Sequence, residues 1–235
     1  MNKIKTMGCA ILTLMLVNIS TTAQADSSNF AGPYISISAS GYGMQISGSS
    51  QAGVGQPTEN VDLGKVAPIT GFGAGYAIPL GSAFLIDIGA TMSQGADKLE
   101  FHGDQDNEVV TDSEATGFNS TPTNVSFTIS DLIHYYVAPT IVLSDTSSLY
   151  LKVGLTEADV TVSGDITSPA NLSGTTWALG TRTVLASGIF IKTEAGYTDY
   201  NEISAIGKGN NIDSSNRYST KPTIAFGTVA LGFRF

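Results

Sequence analysis

Segments in which apolar and polar residues alternate recur along most of the chain. A period of two is typical of β-strands, because successive side chains point to opposite faces of a sheet. Between Ile133 and Leu143, for example, Ile, Tyr, Val, Pro, Ile and Leu occupy every second position. The pattern predicts eight strands, within residues 35–40, 71–78, 84–91, 133–143, 149–156, 177–185, 189–197 and 225–235.

The uncharged stretch from Val66 to Ile86 is long enough to cross a bilayer as a helix. Its composition argues against a helix, because glycine and proline are poor helix formers. Glycines alternate with larger residues over 71–78, and the segment Pro79–Ser82 has the composition of a turn. We therefore predict two strands joined by a tight turn in this stretch.

The connections between the predicted strands alternate between long and short. The short ones are 79–82, 144–148 and 186–188, and the long polar ones are 47–66, 94–124, 163–174 and 200–221. An even-stranded barrel with both chain ends on one side of a membrane has this rhythm. Only 13% of the residues are charged, against roughly 25% in soluble domains. The sequence thus predicts an all-β fold: an eight-stranded antiparallel transmembrane β-barrel with four long outer loops and short periplasmic turns.

The first 25 residues have the features of a cleaved export signal. Lys3 and Lys5 precede an apolar run, and Ala23-Gln24-Ala25 is a small-x-small cleavage pattern. We expect a signal peptide at 1–25 and one outer-membrane barrel domain at 26–235. Cys9 is the only cysteine, so the domain has no disulfide. It lies inside the apolar run, which argues against a lipoprotein.

The net charge of −9 at pH 7 argues against nucleic acid as a partner. Phosphate binding needs clustered Lys and Arg side chains, and the sequence contains no such cluster.

Several segments resemble the small eight-stranded outer-membrane barrels of Gram-negative bacteria, the OmpA-type transmembrane domain and opacity-like surface proteins. The matching segments are Gly32–Ile35, Ser148–Gly154, Thr198–Ser204 and, most specifically, Gly227–Phe235 with its terminal aromatic residue. The resemblance implies an outer-membrane location, contacts with lipids and lipopolysaccharide, and assembly by the barrel-assembly machinery through the C-terminal strand ending in Phe235. The peptidoglycan-binding domain of longer OmpA-type proteins does not follow Phe235, so a cell-wall anchoring role is not expected.

Six charged residues in the predicted strands lie on the less apolar face, which would face the lumen: Asp87, Lys152, Arg182, Lys192, Glu194 and Arg234. Side chains fill the interior of an eight-stranded barrel, so buried charges there must pair. We hypothesise a network in which Asp87 and Glu194 bridge the cations. It would act as a structural plug or, alternatively, as a salt-bridge gate over a narrow pore.

Aromatic residues on the apolar face predict the two girdles of a membrane barrel. Trp177 and Tyr197 would lie at the outer rim, and Phe233 and Phe235 at the inner rim.

The connection 94–124 is strongly acidic. A solvated loop is the favoured interpretation. A Ca²⁺ or Mg²⁺ site is the alternative, although Val109 replaces the glycine that an EF-hand loop requires after Asp104-Gln105-Asp106-Asn107-Glu108.

A catalytic role receives little support. His134 is the better of two histidines and shares its predicted face with Ser126, Thr128 and Ser130, but no Ser–His motif or G-x-S-x-G is present. We expect no catalytic residue, cofactor or metal. The expected role is structural or surface-interacting, of the adhesin or antigen kind, with a possible extracellular ligand at the loops. A narrow porin-like channel is the alternative, and a lipid-modifying enzyme is less favoured.

Overall fold

A computed structural model of the chain describes residues 26–51, 58–94, 126–163, 166–167, 171–185, 188–208 and 214–235. The predicted signal peptide and the acidic loop after Gln94 lie outside these residues.

The described residues form one turn of 3-10 helix and nine β-strands. The turn is Ser27–Asn29, and the strands are β1 Gly32–Gln51, β2 Thr58–Pro79, β3 Phe84–Gln94, β4 Ser126–Ser144, β5 Ser147–Ser163, β6 Leu172–Val184, β7 Ile189–Tyr200, β8 Ile203–Ile206 and β9 Arg217–Arg234. Among them there is no helix long and apolar enough to span a membrane.

Eight of these strands close into a barrel. Each strand from β1 to β6 pairs with the next one in antiparallel fashion, β7 pairs with β9, and β9 pairs with β1. The closing pair runs from Tyr34 opposite Arg234 to Gln51 opposite Arg217. The predicted eight-stranded antiparallel barrel is therefore confirmed. The short strand β8 lies outside the ring and pairs with β9.

The outer face of the barrel is apolar. Ile37, Phe72 and Leu179 are each more than half exposed, as expected for side chains that contact lipid. The four predicted girdle residues share this face, with exposed fractions of 53% for Trp177, 45% for Tyr197, 42% for Phe233 and 71% for Phe235. Trp177 and Tyr197 are cross-strand neighbours on β6 and β7.

The strands continue beyond the ends that alternation predicts. Much of 47–66, expected to be a loop, is strand, because β1 and β2 pair as far as Gln51 opposite Thr58. Likewise, β4 and β5 pair as far as Ser126 opposite Ser163. Ladder hydrogen bonds join backbone groups, so polar segments without a hydrophobic face can extend a hairpin. The barrel wall therefore continues above its apolar band.

A β-bulge corrects one expectation about β4. The register shifts between Ser130 and Ile133, and Asp131 has a φ of 51°. One extra residue in a strand exchanges its two faces beyond the bulge. Consequently Ile129 is buried and Ser130 does not share the face of His134, contrary to the prediction.

The inward face of β2 from Gly71 to Ala77 consists of small residues. Gly71, Gly73 and Gly75 lie opposite inward side chains of β1, and a Cβ on Gly75 would collide with the Tyr34 hydroxyl and approach Ile88 O to 2.8 Å. This row of glycines leaves room for the side chains that the opposite wall projects inward.

We predict that Gly75→Ala destabilises the refolded barrel by about 1–3 kcal/mol, because the added methyl overpacks the interior. Urea unfolding followed by the heat-dependent gel shift measures the loss. Gly41→Ala is the matched control, since a Cβ there meets no atom within 4 Å. Equal stability of the two variants would contradict the prediction.

Candidate functional site in the barrel interior

Buried side chains fill the interior in three layers. The periplasmic layer is apolar and consists of Phe30, Ala77, Leu85 and Val142, with Val184 against them. The middle layer contains the inward charges. The outer layer is again apolar: Met44, Ile46, Ala67, Ile129, Leu132, Ala158, Leu172, Tyr200 and Ile224.

The strand register places five predicted charges together in the middle layer. They come from four strands: Asp87 on β3, Lys152 on β5, Arg182 on β6, and Lys192 and Glu194 on β7. All five side chains are nearly inaccessible to solvent. Their cross-strand neighbours are often small, such as Gly180 opposite Glu194 and Ala178 opposite Lys152, which leaves space for long side chains.

Arg182 and Lys192 are direct cross-strand partners. Like charges in this position repel each other and destabilise a sheet. Asp87 offsets the repulsion, because its Oδ2 lies 3.1 Å from Lys192 Nζ and 4.0 Å from Arg182 Nη1. The hydroxyl of Tyr34 donates to the other oxygen of Asp87 at 2.6 Å. One carboxylate thus connects β3 with β6, β7 and β1.

Glu194 forms the second ionic centre. Lys152 Nζ donates to Glu194 Oε2, and the Tyr150 hydroxyl donates to Oε1 at 2.7 Å. Lys152 also lies over the ring of Tyr136, 4.5 Å from its centroid. The carboxylate is therefore held by a cation and a neutral donor, as a buried acid requires.

Three tyrosines belong to the network and were not predicted as members. The hydroxyls of Tyr34 and Tyr136 are 2.7 Å apart, and Lys192 Nζ donates to Tyr34 Oη at 3.1 Å. Tyr150 completes the set through Glu194. Alternation along the strands places all three inward, because Tyr34, Tyr136 and Tyr150 are each two positions from an inward residue: Ser36, His134 and Lys152, respectively. The parity was the available signal, but tyrosine also occurs on lipid-facing surfaces.

Arg182 is held mainly by stacking on aromatic rings. Its guanidinium carbon lies 4.0 Å from the centroid of Phe190 and 4.8 Å from that of Tyr34. Among the described residues its nitrogens have no hydrogen-bond partner. Arginine suits such a position, because its delocalised charge is weakly hydrated and stacks on aromatic rings.

Arg234, the sixth predicted member, is not in this cluster. It lies at the periplasmic end, where its Nη1 donates to the carbonyls of Ser28 at 2.6 Å and Ala31 at 3.1 Å. The cluster therefore has three cations and two carboxylates.

A polar chamber of about 50 Å³ lies between the charges and the outer apolar layer. Hydroxyls dominate its wall. His134 Nδ1 is 2.9 Å from Thr156 Oγ1, which continues to Thr176 at 2.6 Å and from there to Thr198 at 2.7 Å. This hydrogen-bonded chain orients the ring without a carboxylate. Within the described ranges, no group of three or more His, Cys, Asp or Glu side chains is arranged to hold a metal ion.

We predict that Lys152→Met destabilises the barrel by about 3–5 kcal/mol, because it leaves the Glu194 charge buried without its cation. The double variant Lys152→Met/Glu194→Gln should recover most of this loss. Urea unfolding followed by the fluorescence of Trp177, the single tryptophan, measures both. Lys221→Met is the control: it breaks an exposed ion pair with Asp199 and should change little. A Lys152→Met variant as stable as this control would refute the prediction.

Three solved structures of outer-membrane proteins are similar to this chain. The outer membrane protein OprG from Pseudomonas aeruginosa aligns with 87% of this chain and 97% of its own, with a TM-score of 0.53 and 11% identity. Ail, the attachment invasion locus protein of Yersinia pestis, solved with the heparin analogue sucrose octasulfate, aligns over 87% and 99% with a TM-score of 0.44 and 13% identity. The outer membrane protease OmpT from Escherichia coli aligns over 93% and 99%, with a TM-score of 0.43 and 9% identity.

A comparison with curated protein sequences finds no significant match. The family model of the outer membrane protein beta-barrel domain matches residues 9–220, most of the chain. The closed ring with its apolar outer face agrees with this match. The chain therefore belongs to the outer membrane protein beta-barrel domain family, and it is a multi-pass β-barrel of the Gram-negative outer membrane.

Proposed function

We propose that this protein is a closed, non-conducting barrel whose role is structural and surface-interacting. The observation that carries the proposal is the closure of the interior by buried apolar side chains on both sides of the charged layer. A polar solute would have to displace both apolar layers to cross.

The periplasmic layer supports closure through Phe30. Its side chain is fully buried and packs against Ala77, Leu85 and Val142. The outer layer supports it in the same way, with Leu172 fully buried and Tyr200 1% exposed. Both layers consist almost entirely of buried apolar side chains, which cannot replace the hydration of an ion, so they oppose the passage of ions.

The charged layer fits a structural role inside a closed barrel. Asp87 and Glu194 each bind a lysine and a tyrosine, and these contacts join strands that are not neighbours in the ring. A network that spans the lumen fixes the cross-section of the barrel and its strand register.

The extended wall above the apolar band supports a role at the surface. Beyond the ring, β8 pairs with β9, and Ile166 forms a bridge with Gly207. Ile166 and Ala205 form a small buried cluster there, with Tyr218 packed against it. This cluster gives the outer segments a core of their own, on which loops can present a fixed surface to an extracellular ligand.

The outer rim of the barrel also has a solvent-exposed ion pair. Lys221 Nζ lies 2.9 Å from Asp199 Oδ1, and this carboxylate raises the pKa of the lysine above its ordinary value. The rim and the apolar band would contact lipopolysaccharide and membrane lipids. Assembly through the barrel-assembly machinery would use the C-terminal strand ending in Phe235, a residue whose side chain is 71% exposed.

The polar chamber favours the alternative of a narrow channel. Its hydroxyl lining resembles a segment of an aqueous path. The channel function would require the outer and periplasmic layers to open, so it ranks second. We propose no catalytic step, since His134 contacts a threonine hydroxyl inside the closed interior.

We predict that refolded residues 26–235 produce no reproducible single-channel steps in planar bilayers. The heat-dependent gel shift first establishes that the barrel is folded. Glu194→Gln and Arg182→Met should remain silent too, because neither removes an apolar layer. Reproducible steps whose size changes in these two variants would overturn the closed barrel in favour of the channel.

We further predict that the β8 region is accessible on intact cells. The mature chain lacks cysteine, so single cysteines report cleanly. Ser204→Cys, at an exposed β8 position, should react with a membrane-impermeant maleimide on whole cells. Thr146→Cys, in the opposite turn, should react only after the outer membrane is permeabilised. The reverse pattern would place the extended wall in the periplasm and refute the surface role.

A further inference from the structure

The segment from Asp26 to Ala31 folds back into the periplasmic mouth of the barrel. Phe30 reaches the apolar layer and is fully buried, and Ser27 is 3% exposed. We call residues 26–31 the N-terminal plug. It belongs to none of the alternating segments, and its position follows from contacts with three separate parts of the rim.

The first contact is with the β2–β3 turn. Ser27 N donates to Ser82 O at 2.8 Å, and Ser27 Oγ donates to Gly81 O at 2.5 Å. The second is with the C-terminal strand, where Arg234 donates to the carbonyls of Ser28 and Ala31. These two contacts satisfy backbone groups of the plug and hold it across the mouth.

The third contact involves the nitrogen of Asp26. This nitrogen lies 3.3 Å from Asp145 Oδ1 in the β4–β5 turn. The Asp26 carboxylate itself accepts from Ser28 N at 2.9 Å, an N-cap that holds the pKa of this carboxyl below its ordinary value. Two carboxylates therefore lie close to one backbone nitrogen.

The predicted cleavage after Ala25 would change the charge of this nitrogen. In the precursor it is a neutral amide, and in the mature chain it is an α-ammonium group with an ordinary pKa of about 7.7–8.0. Cleavage would thus convert a weak hydrogen bond to Asp145 into an ion pair. It would also place a positive charge beside the two acidic side chains.

We infer that signal-peptide removal locks the N-terminal plug, because the new α-ammonium group of Asp26 pairs with Asp145. Closure of the periplasmic mouth is then coupled to maturation: the precursor holds the plug more weakly than the mature chain does. This inference rests on the proposed closed barrel, and it adds a step that completes the closure.

The test measures access to Ala77, which is fully buried beneath Phe30. The reporter is Ala77→Cys in refolded residues 26–235, with Asp26 made the first residue by a protease that leaves no extra residue. The rate of labelling by a small charged thiol reagent reports how often the plug leaves the mouth. Thr146→Cys in the exposed turn gives the rate for full access, and the gel shift confirms folding of every variant.

In the mature chain Ala77→Cys should react far more slowly than Thr146→Cys. Adding Phe30→Ala should raise its rate by at least about tenfold, because a Phe→Ala change removes most of the buried apolar contact. Adding Asp145→Asn, which leaves the apolar contacts intact, should raise it roughly two- to fivefold, the range for an exposed ion pair.

The decisive comparison blocks the α-ammonium group. N-terminal acetylation should raise the labelling rate as much as Asp145→Asn does. In a blocked chain Asp145→Asn should have no further effect, because the partner charge is already absent. Asp145→Asn acting equally in free and blocked chains would overturn the ion pair.

The outcomes separate this inference from the proposed function. Rapid labelling of Ala77→Cys in an electrically silent mature barrel would overturn the plug and leave the closed barrel in place. Single-channel steps would overturn the closed barrel itself. Slow labelling that is insensitive to acetylation would show a plug that does not depend on maturation, and would also overturn the inference.

Discussion

The small interior of an eight-stranded ring constrains everything else in this protein. Side chains fill that space, so each charge that points inward must find its partner among other inward side chains. Asp87 and Glu194 meet this requirement together with lysines and tyrosines from β1, β5 and β7. The ring can therefore close only when the register of all these strands is right. A shift by one residue in any of them would turn one of these charges or tyrosine hydroxyls toward lipid.

The same constraint explains the uneven walls of the barrel. The long side chains come mainly from β5, β6 and β7, whereas β2 contributes the inward glycines 71, 73 and 75. The glycines of this wall leave room for the lysines, arginine and tyrosines that the opposite wall projects into the lumen. The apolar layers above and below then exclude water from the ends of the charged layer. This exclusion strengthens the electrostatic contacts within it.

Much of the interior could be predicted from the sequence, because the alternation of residues along a strand decides which side chains face the lumen. Charged residues within an alternating strand have one acceptable face, and the five clustered charges were placed by that rule. Tyrosine lacks this bias: Tyr135 is 51% exposed and its neighbour Tyr136 is 6% exposed. The bulge at Asp131 interrupts the count, and its signal was the adjacent apolar pair Leu132 and Ile133. Phe30 lies outside any alternating segment, so no local pattern indicates its burial.

The height of the wall has a consequence for what reaches the protein from outside. Val66 is an exposed apolar residue high on β2. Beyond Val66, β1 and β2 remain paired as far as Gln51 opposite Thr58. Eight further residues at about 3.3 Å each, on strands tilted by roughly 40°, raise the hairpin end by about 20 Å. Sugar chains of lipopolysaccharide occupy this zone around the barrel. On the proposed surface role, large molecules such as antibodies would meet this hydrogen-bonded wall before they meet the membrane.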